Sequence, residues 1–307
     1  MAANSKPAPN GSAITVETLI AELGVVPTPK IAGEWTVDKA TEAIFAPTGS
    51  DSDRHSKPAP NTSSPLPYFH LLELLKTTKR EGWRRFGITH GESIADHMYR
   101  MSLMAMLAPP ALAARLDMNR CIKMCLVHDM AEALVGDITP VDGVPKPEKS
   151  RREASTMDYI TGTLLGQVGG WGGSKSGSGG GDGDNDTGAV GREIRAIWQE
   201  YEDAATPESH FVHDVDKMEL LLQMHEYETR GQGHVDLGEF AYVATKMVLP
   251  ETRAWAAALL QERDALWRSR GQAPPGQPTM PELEAAATSK TNGVDEANEA
   301  DGHAPLT

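Results

Sequence analysis

An all-α fold is what this sequence predicts, and three features carry the prediction. Apolar residues recur at three- and four-residue spacing in several separate stretches, no stretch alternates as a half-buried strand would, and helix-start and helix-stop residues punctuate the stretches. At 307 residues the chain has room for two average domains. Both ends and one internal segment have the composition of unstructured chain, however, which leaves one compact domain of about 200 residues.

Composition narrows the partners. A formal net charge of -14 with 39% hydrophobic residues argues against a nucleic-acid backbone or an anionic membrane, and a small anionic ligand would need a local basic site or a metal. There is no apolar run long enough to span a bilayer. The opening MAANSKPAPNGS lacks both the apolar region of a signal peptide and the arginines of a transit peptide, so a reducing cytoplasmic or nuclear setting is expected. Cys121 and Cys125 lie four apart on one expected helix with no further cysteines, and they read as buried thiols rather than a disulfide or a structural zinc site.

Residues 1 to 65, rich in Pro, Ala, Ser and Asn, are expected to be mostly disordered, with two patterned pieces suited to short helices, ITVETLIAEL (14 to 23) and WTVDKATEAIFA (35 to 46). The domain is expected over 66 to 270. YFHLLELLKTTKR (68 to 80) sets Leu71, Leu72, Leu74 and Leu75 densely enough for a buried helix, and Pro67 suits its start. REGWRRFGITHGES (80 to 93) reads as a loop by its glycines and gathers Arg80, Trp83, Arg84 and Arg85; a solvated basic turn is the ordinary account and an anion-facing loop the sharper one. Ser93 is a natural N-cap for IADHMYRMSLMAML, where His97 shares a face with Met101 and Met104. Pro109 and Pro110 end that helix.

The stretch from Cys121 to Pro140, CIKMCLVHDMAEALVGDITP, is chemically the densest. At helical spacing Cys121, Cys125, His128 and Glu132 fall on one stripe, with Asp129 one position round. Gly136 supplies a helix stop and places Asp137 on the turn beyond it. A Pro-rich loop with Lys146, Lys149, Arg151 and Arg152 then turns helical. The Gly/Ser/Asp-rich segment of 166 to 190 reads as a flexible inserted loop. Asp182, Asp184, Asp186 and Glu193 have calcium-loop spacing within it, but Thr187 stands where the sharp turn wants glycine and no helix enters, so the linker reading is preferred. Further helices are expected at GREIRAIWQEYEDA, with Ile194, Ile197, Trp198 and Tyr201 on one face, at SHFVHDVDKMELLLQMHEYE, and at ETRAWAAALLQERDALWRSR. From 271 the tail is expected to be disordered. In the second of these helices Asp216 sits among the inward residues Val215, Met218 and Leu222, where a carboxylate needs a cation to pair with.

His97, the adjacent His128 and Asp129, and the remote Asp216 thus offer two imidazoles and two carboxylates from three helices. A lone His on an apolar face is ordinarily a hydrogen-bonded core residue; the coincidence with the other three makes His97 a ligand candidate. Such a mixed N/O set suits Mn²⁺, Co²⁺, Fe²⁺, Mg²⁺ or Zn²⁺ and leaves positions for water and a substrate oxygen. Glu132 and Asp137 are the nearby carboxylates available for proton transfer or for a second ion.

The order His97, then His128-Asp129, then Asp216 resembles the H…HD…D signature of the HD-domain metal-dependent phosphohydrolases. Within that superfamily REGW (80 to 83), ESIADHMYRM (92 to 101), HDMAEALVGDITP (128 to 140), KPEKSRRE (146 to 153) and EYE (200 to 202) resemble the 5′-deoxynucleotidases of the HD domain-containing protein 2 type, over about residues 66 to 268. The resemblance implies an all-helical HD-domain bundle that forms a homodimer and hydrolyses deoxyribonucleoside 5′-monophosphates to deoxynucleoside and phosphate, with Mn²⁺, Co²⁺ or Mg²⁺. It implies His97, His128, Asp129 and Asp216 as metal ligands, and Glu132 and Asp137 as acid/base residues or second-metal ligands. The backbone of Ile138 would lie near that second site, and Arg80 and Trp83 would be on the substrate side; Arg80 is then expected to hold the 5′-phosphate, and the indole either to pack near C2′ of the sugar or merely to seal the loop onto the core. Two alternatives stand beside it: a phosphohydrolase acting on a cyclic nucleotide or a nucleoside triphosphate, and a non-catalytic metal-binding scaffold.

Overall fold

The computed structural model describes residues 30–45, 57–169, 187–232, 234–279 and 281–283. Eleven α-helices lie among them: α1 (Val37–Phe45), α2 (Leu66–Thr77), α3 (Glu81–Arg84), α4 (Ile94–Ala105), α5 (Pro110–Ala113), α6 (Met118–Val127), α7 (Glu132–Val135), α8 (Lys146–Asp158), α9 (Ala189–Asp203), α10 (Pro207–Arg230) and α11 (Pro250–Ser269). A π-helical turn, Tyr159–Leu164, continues α8, and 3₁₀ turns cover Pro140–Asp142 and Gly238–Lys246. Among the described residues the only β pairing is an isolated bridge between Lys79 and Ser93. The all-α reading holds.

Local chemistry sets the helix starts. The Ser93 side chain accepts from the Asp96 N–H while the Asp96 carboxylate accepts from the Ser93 N–H, a reciprocal cap that fixes where α4 begins. Thr206 and Ser209 do the same at α10, with Pro207 in its first turn. Helices α4, α6 and α10 pack together with α9 around the main core, which includes Ile94, Met101, Met124, Phe211 and Val215. Cys121 and Cys125 are buried there as free thiols, as expected. A second cluster joins the later part of α10 to α11 and the Gly238–Lys246 turn through Leu221, Met224, Leu237 and Leu260. It is closed by a fully buried pair, Arg263 and Glu228, at 2.7 Å. The Trp267 indole N–H also donates to Glu228, so the carboxylate's oxygens are both used.

Two expectations for the middle of the chain change on this frame. Residues 80–93 are not simply a loop, because α3 forms a single turn within them and the Lys79–Ser93 bridge ties their ends. The 121–135 run is not one continuous helix. It breaks after Val127 into tighter turns, with Met130 N–H bonding Val127 O and Glu132 N–H bonding Asp129 O, and resumes as α7. Glu132 therefore does not continue the stripe of Cys121, Cys125 and His128. The Gly136 stop is confirmed, with φ of +79° and its N–H on Glu132 O at 2.9 Å.

Before residue 66, WTVDKATEAIFA forms the short helix expected of it, α1, and docks: Trp35 and Ala40 lie in the main core, and Arg151 donates to Trp35 O at 2.8 Å. ITVETLIAEL lies outside the described residues. After 271, Gly238 and Pro275 are in such close backbone contact that a Cβ on Gly238 would stand 2.2 Å from Pro275 O. Most of the Gly-rich segment, 170–186, is also outside the described residues, and with it Asp182, Asp184 and Asp186. Glu193 stands within α9 and pairs with Lys123.

Candidate metal centre

Helix α4 carries His97 into the core, where the ring is fully buried. Its Nδ1 lies 2.6 Å from Glu219 Oε2 on α10. Facing a carboxylate, Nδ1 must carry the ring proton, which turns Nε2 outward as a lone-pair donor. His128, at the end of α6, repeats the arrangement with Nδ1 3.0 Å from Cys125 O. Both Nε2 atoms are buried and make no hydrogen bond.

Both point toward carboxylates. Asp129 Oδ2 is 3.3 Å from His128 Nε2 and 3.7 Å from His97 Nε2, and one ligand atom from each of the three residues lies within 4.8 Å of the others. Asp216 joins from α10 with Oδ1 3.1 Å from His97 Nε2, in a geometry that is close without being aligned as a hydrogen bond. Its other oxygen accepts from the Tyr201 hydroxyl at 3.1 Å. Two buried, unpartnered imidazole nitrogens converging on two carboxylates fit a divalent cation, which would take the lone pairs of the first and neutralise the charge of the second.

Positive charge is in demand throughout the cluster. Burial and Arg80 work against a charged His97, but Glu219 and Asp216 outweigh them and push the ring up to about 10. Burial would raise Asp129, yet His128, Arg80 and His97 hold it well below the usual carboxylate range. Asp216 is held low against the same burial by His97 first of all. Glu132 goes the other way: burial, with Asp129 and Asp137 adding repulsion, raises it far above the ordinary value, and its Oε2 is buried without a partner.

The loop of 80–93 forms one wall. Arg80 Nη1 stands 3.2 Å from Asp129 Oδ2 and 3.9 Å from Asp137 Oδ1, while Asp137 Oδ2 accepts the Glu81 N–H at 2.6 Å. Burial opposes the Arg80 charge, and Asp137, Asp129 and Glu132 more than restore it. Ile138, the next residue after Asp137, is half-buried against the main core.

Trp83 takes the second of its two expected places, sealing the 80–93 segment onto the core rather than facing the sugar. It is 1% exposed, packed against Phe240 at 4.7 Å and edge-on to Tyr227 at 5.4 Å between ring centres. Its N–H donates to Glu92 Oε1 at 2.8 Å. The aromatic body thus belongs to the second core, and its link toward the site runs through a carboxylate.

Three residues of the site are not assigned to it in the sequence reading. Glu219 and Glu92 each lie within ligand distance of His97, and Tyr201, read as a core aromatic, also holds Asp216. The signal for Glu219 was available: it lies three residues past Asp216, nearly one helical turn on, and a second acid on an inward face needs a partner as much as the first.

The HD-domain family model matches residues 72–254, and the chain belongs to that family. Among individual proteins it is similar to 5′-deoxynucleotidase hdd1 of Schizosaccharomyces pombe, at 39% identity over 69% of this chain and 96% of that protein. It is also similar to 5′-deoxynucleotidase YGK1 of Saccharomyces cerevisiae, at 39% over 70% and 89%, and to human 5′-deoxynucleotidase HDDC2, at 38% over 53% and 68%.

Proposed function

We infer that this chain is a metal-dependent 5′-deoxynucleotidase, a phosphomonoesterase that converts deoxyribonucleoside 5′-monophosphates to deoxynucleosides and phosphate. The observation that carries the reading is the pair of buried, unpartnered Nε2 atoms of His97 and His128 facing Asp129 and Asp216 beside a half-buried arginine. The named activity of the similar proteins supports it.

His97, His128, Asp129 and Asp216 would hold a divalent ion, Mn²⁺, Co²⁺ or Mg²⁺, which when bound supplies Lewis-acid polarisation of the phosphoryl group and an acidified water. Arg80 presents its guanidinium to the phosphate oxygens and neutralises charge that grows there. Glu132, whose affinity for a proton burial and its acidic neighbours raise, would be the acid that protonates the departing 5′-oxygen. Asp137, oriented by the Glu81 N–H, is the base on the attacking side. The alternative roles of Glu132 and Asp137 are as ionised ligands of a second ion, with the Ile138 backbone near it. Glu92, fixed by the Trp83 N–H, is the means by which Trp83 bears on the sugar.

The homodimer is likewise proposed, and the outer face of α4 and its extension supports it: Tyr99, Leu103, Met106 and Leu107 are 64%, 45%, 63% and 75% exposed. Sedimentation of a Leu103→Glu, Leu107→Glu double variant checks this, with dissociation to monomers expected and an unchanged mass against it. For the compartment, a cytoplasmic or nuclear one is proposed; no helix among the described residues is long and apolar enough to cross a membrane.

The deciding experiment is a phosphate-release screen over all nucleoside monophosphates, dATP and cyclic nucleotides, on chelated protein refilled with single metals. Turnover of deoxynucleoside monophosphates in preference to all others is expected. Phosphate release from dATP, or opening of a cyclic nucleotide, at comparable rates would replace this reading with another phosphohydrolase activity.

A further inference from the structure

We propose that Glu219 is a positioning residue of the metal centre, fixing the proton of His97 on Nδ1 and aiming Nε2 at the ion, with Arg100 locking the carboxylate in that orientation. The proposal rests on reading His97 as a metal ligand.

The geometry is specific. Glu219 is fully buried, and Oε2 lies 2.6 Å from His97 Nδ1. The other oxygen, Oε1, accepts from Arg100 Nε at 2.7 Å. Arg100 is itself held by Glu226 at 2.9 Å and by the Gln223 side-chain oxygen at 3.0 Å. His97 and Arg100 are one turn apart on α4, while Glu219, Gln223 and Glu226 occupy one face of α10. The network is therefore a clasp between the two helices that carry ligands His97 and Asp216. With both helices pinned, the His97 ring is left a single orientation.

The two imidazoles are not held alike. His128 donates its Nδ1 proton to a neutral carbonyl, that of Cys125. His97 faces an anion, which makes its Nε2 the stronger electron donor of the two. Replacing Glu219 by glutamine keeps the volume but supplies one oxygen and one amino group where two acceptors are needed, since His97 and Arg100 both donate. One of the two contacts must fail.

The test uses the full chain, freed of metal and titrated with Co²⁺ against a competing chelator, with the visible absorption band recorded. His97→Ala, which removes a ligand outright, is the reference for the reading on which the proposal depends. For Glu219→Gln the expected result is Co²⁺ affinity about ten- to a hundredfold weaker and a shifted band, with an unchanged helical circular dichroism spectrum. In ¹⁵N-histidine spectra the downfield Nδ1–H resonance of His97 should move. Arg100→Gln leaves the carboxylate in place but loosens it, and a smaller loss of affinity with the same band shift is expected; this variant decides the matter if Glu219→Gln does not fold. Wild-type affinity and an unshifted band in whichever variant folds overturn the proposal. If the wild-type chain and His97→Ala bind Co²⁺ alike, it is the assignment of His97 as a ligand that falls.

Discussion

The indole N–H of Trp83 donates to Glu92 Oε1 over 2.8 Å, from a ring that is otherwise enclosed by Phe240 and Tyr227. The Tyr227 hydroxyl accepts the Glu92 N–H at 2.8 Å, and the Arg80 N–H bonds Glu92 O at 3.2 Å. Trp83 is thus the inner end of a brace whose outer end is a carboxylate on the Arg80 wall.

That placement decides which substitution is informative. Trp83→Ala would leave a large hole and cost about 3–5 kcal/mol, confounding any kinetic effect. Trp83→Phe keeps more of the packing while removing the donor, and the lost hydrogen bond costs roughly 1–3 kcal/mol. It is expected to narrow the preference for dAMP over AMP, measured as the ratio of kcat/KM values, in a protein that still melts cooperatively. An unchanged ratio removes the brace from sugar selection.

Arg80 touches Asp129 and Asp137 and is proposed to meet the phosphate, a group common to ribo- and deoxyribo-substrates. Arg80→Ala should lower kcat/KM for dAMP and AMP by the same factor, about 10- to 150-fold, as expected for a lost hydrogen bond to a charged group. A loss confined to one sugar would reassign Arg80 to specificity.

Removal of metal should abolish phosphatase activity, and Mn²⁺ or Co²⁺ should restore it. Asp129→Ala should abolish both metal binding and turnover, because Asp129 Oδ2 lies between the two unpartnered imidazole nitrogens, 3.7 Å from one and 3.3 Å from the other. Full turnover in chelated protein would refute the metal-dependent mechanism.

The inserted segment leaves and re-enters the fold at one point: the Gly188 N–H bonds Val168 O at 3.0 Å. Deleting 170–186 should therefore shift the melting temperature little and leave kcat near wild type, since loop length costs little in closure entropy. Measured with and without Ca²⁺, a melting temperature that falls on deletion only when Ca²⁺ is present would instead give the Asp182–Glu193 spacing a binding role.

Much of the frame is legible in the sequence because it is local. Ser93 and Asp96 cap α4 through three residues of chain, Thr206 and Ser209 cap α10 the same way, and Gly136 stops α7 because its φ of +79° suits glycine. The break at His128 is not legible. Cys121, Cys125, His128 and Glu132 keep an unbroken helical pattern, yet the backbone tightens after Val127 and carries the carboxylates off the helix surface.

By itself the sequence determined an all-helical chain, the candidate ligands His97, His128, Asp129 and Asp216, and the acids Glu132 and Asp137, because residue type, helical spacing and the cost of burying charge are properties of short segments. Only the tertiary structure decided what each of these touches. That Glu219 backs His97, that Arg80 stands on Asp129, and that Trp83 faces the core while its N–H reaches Glu92 are contacts between positions 122, 49 and 9 residues apart. The first two depend on how α4, α6 and α10 pack, and the third on how the 80–93 segment folds back on itself, neither of which is encoded in the spacing of any one segment.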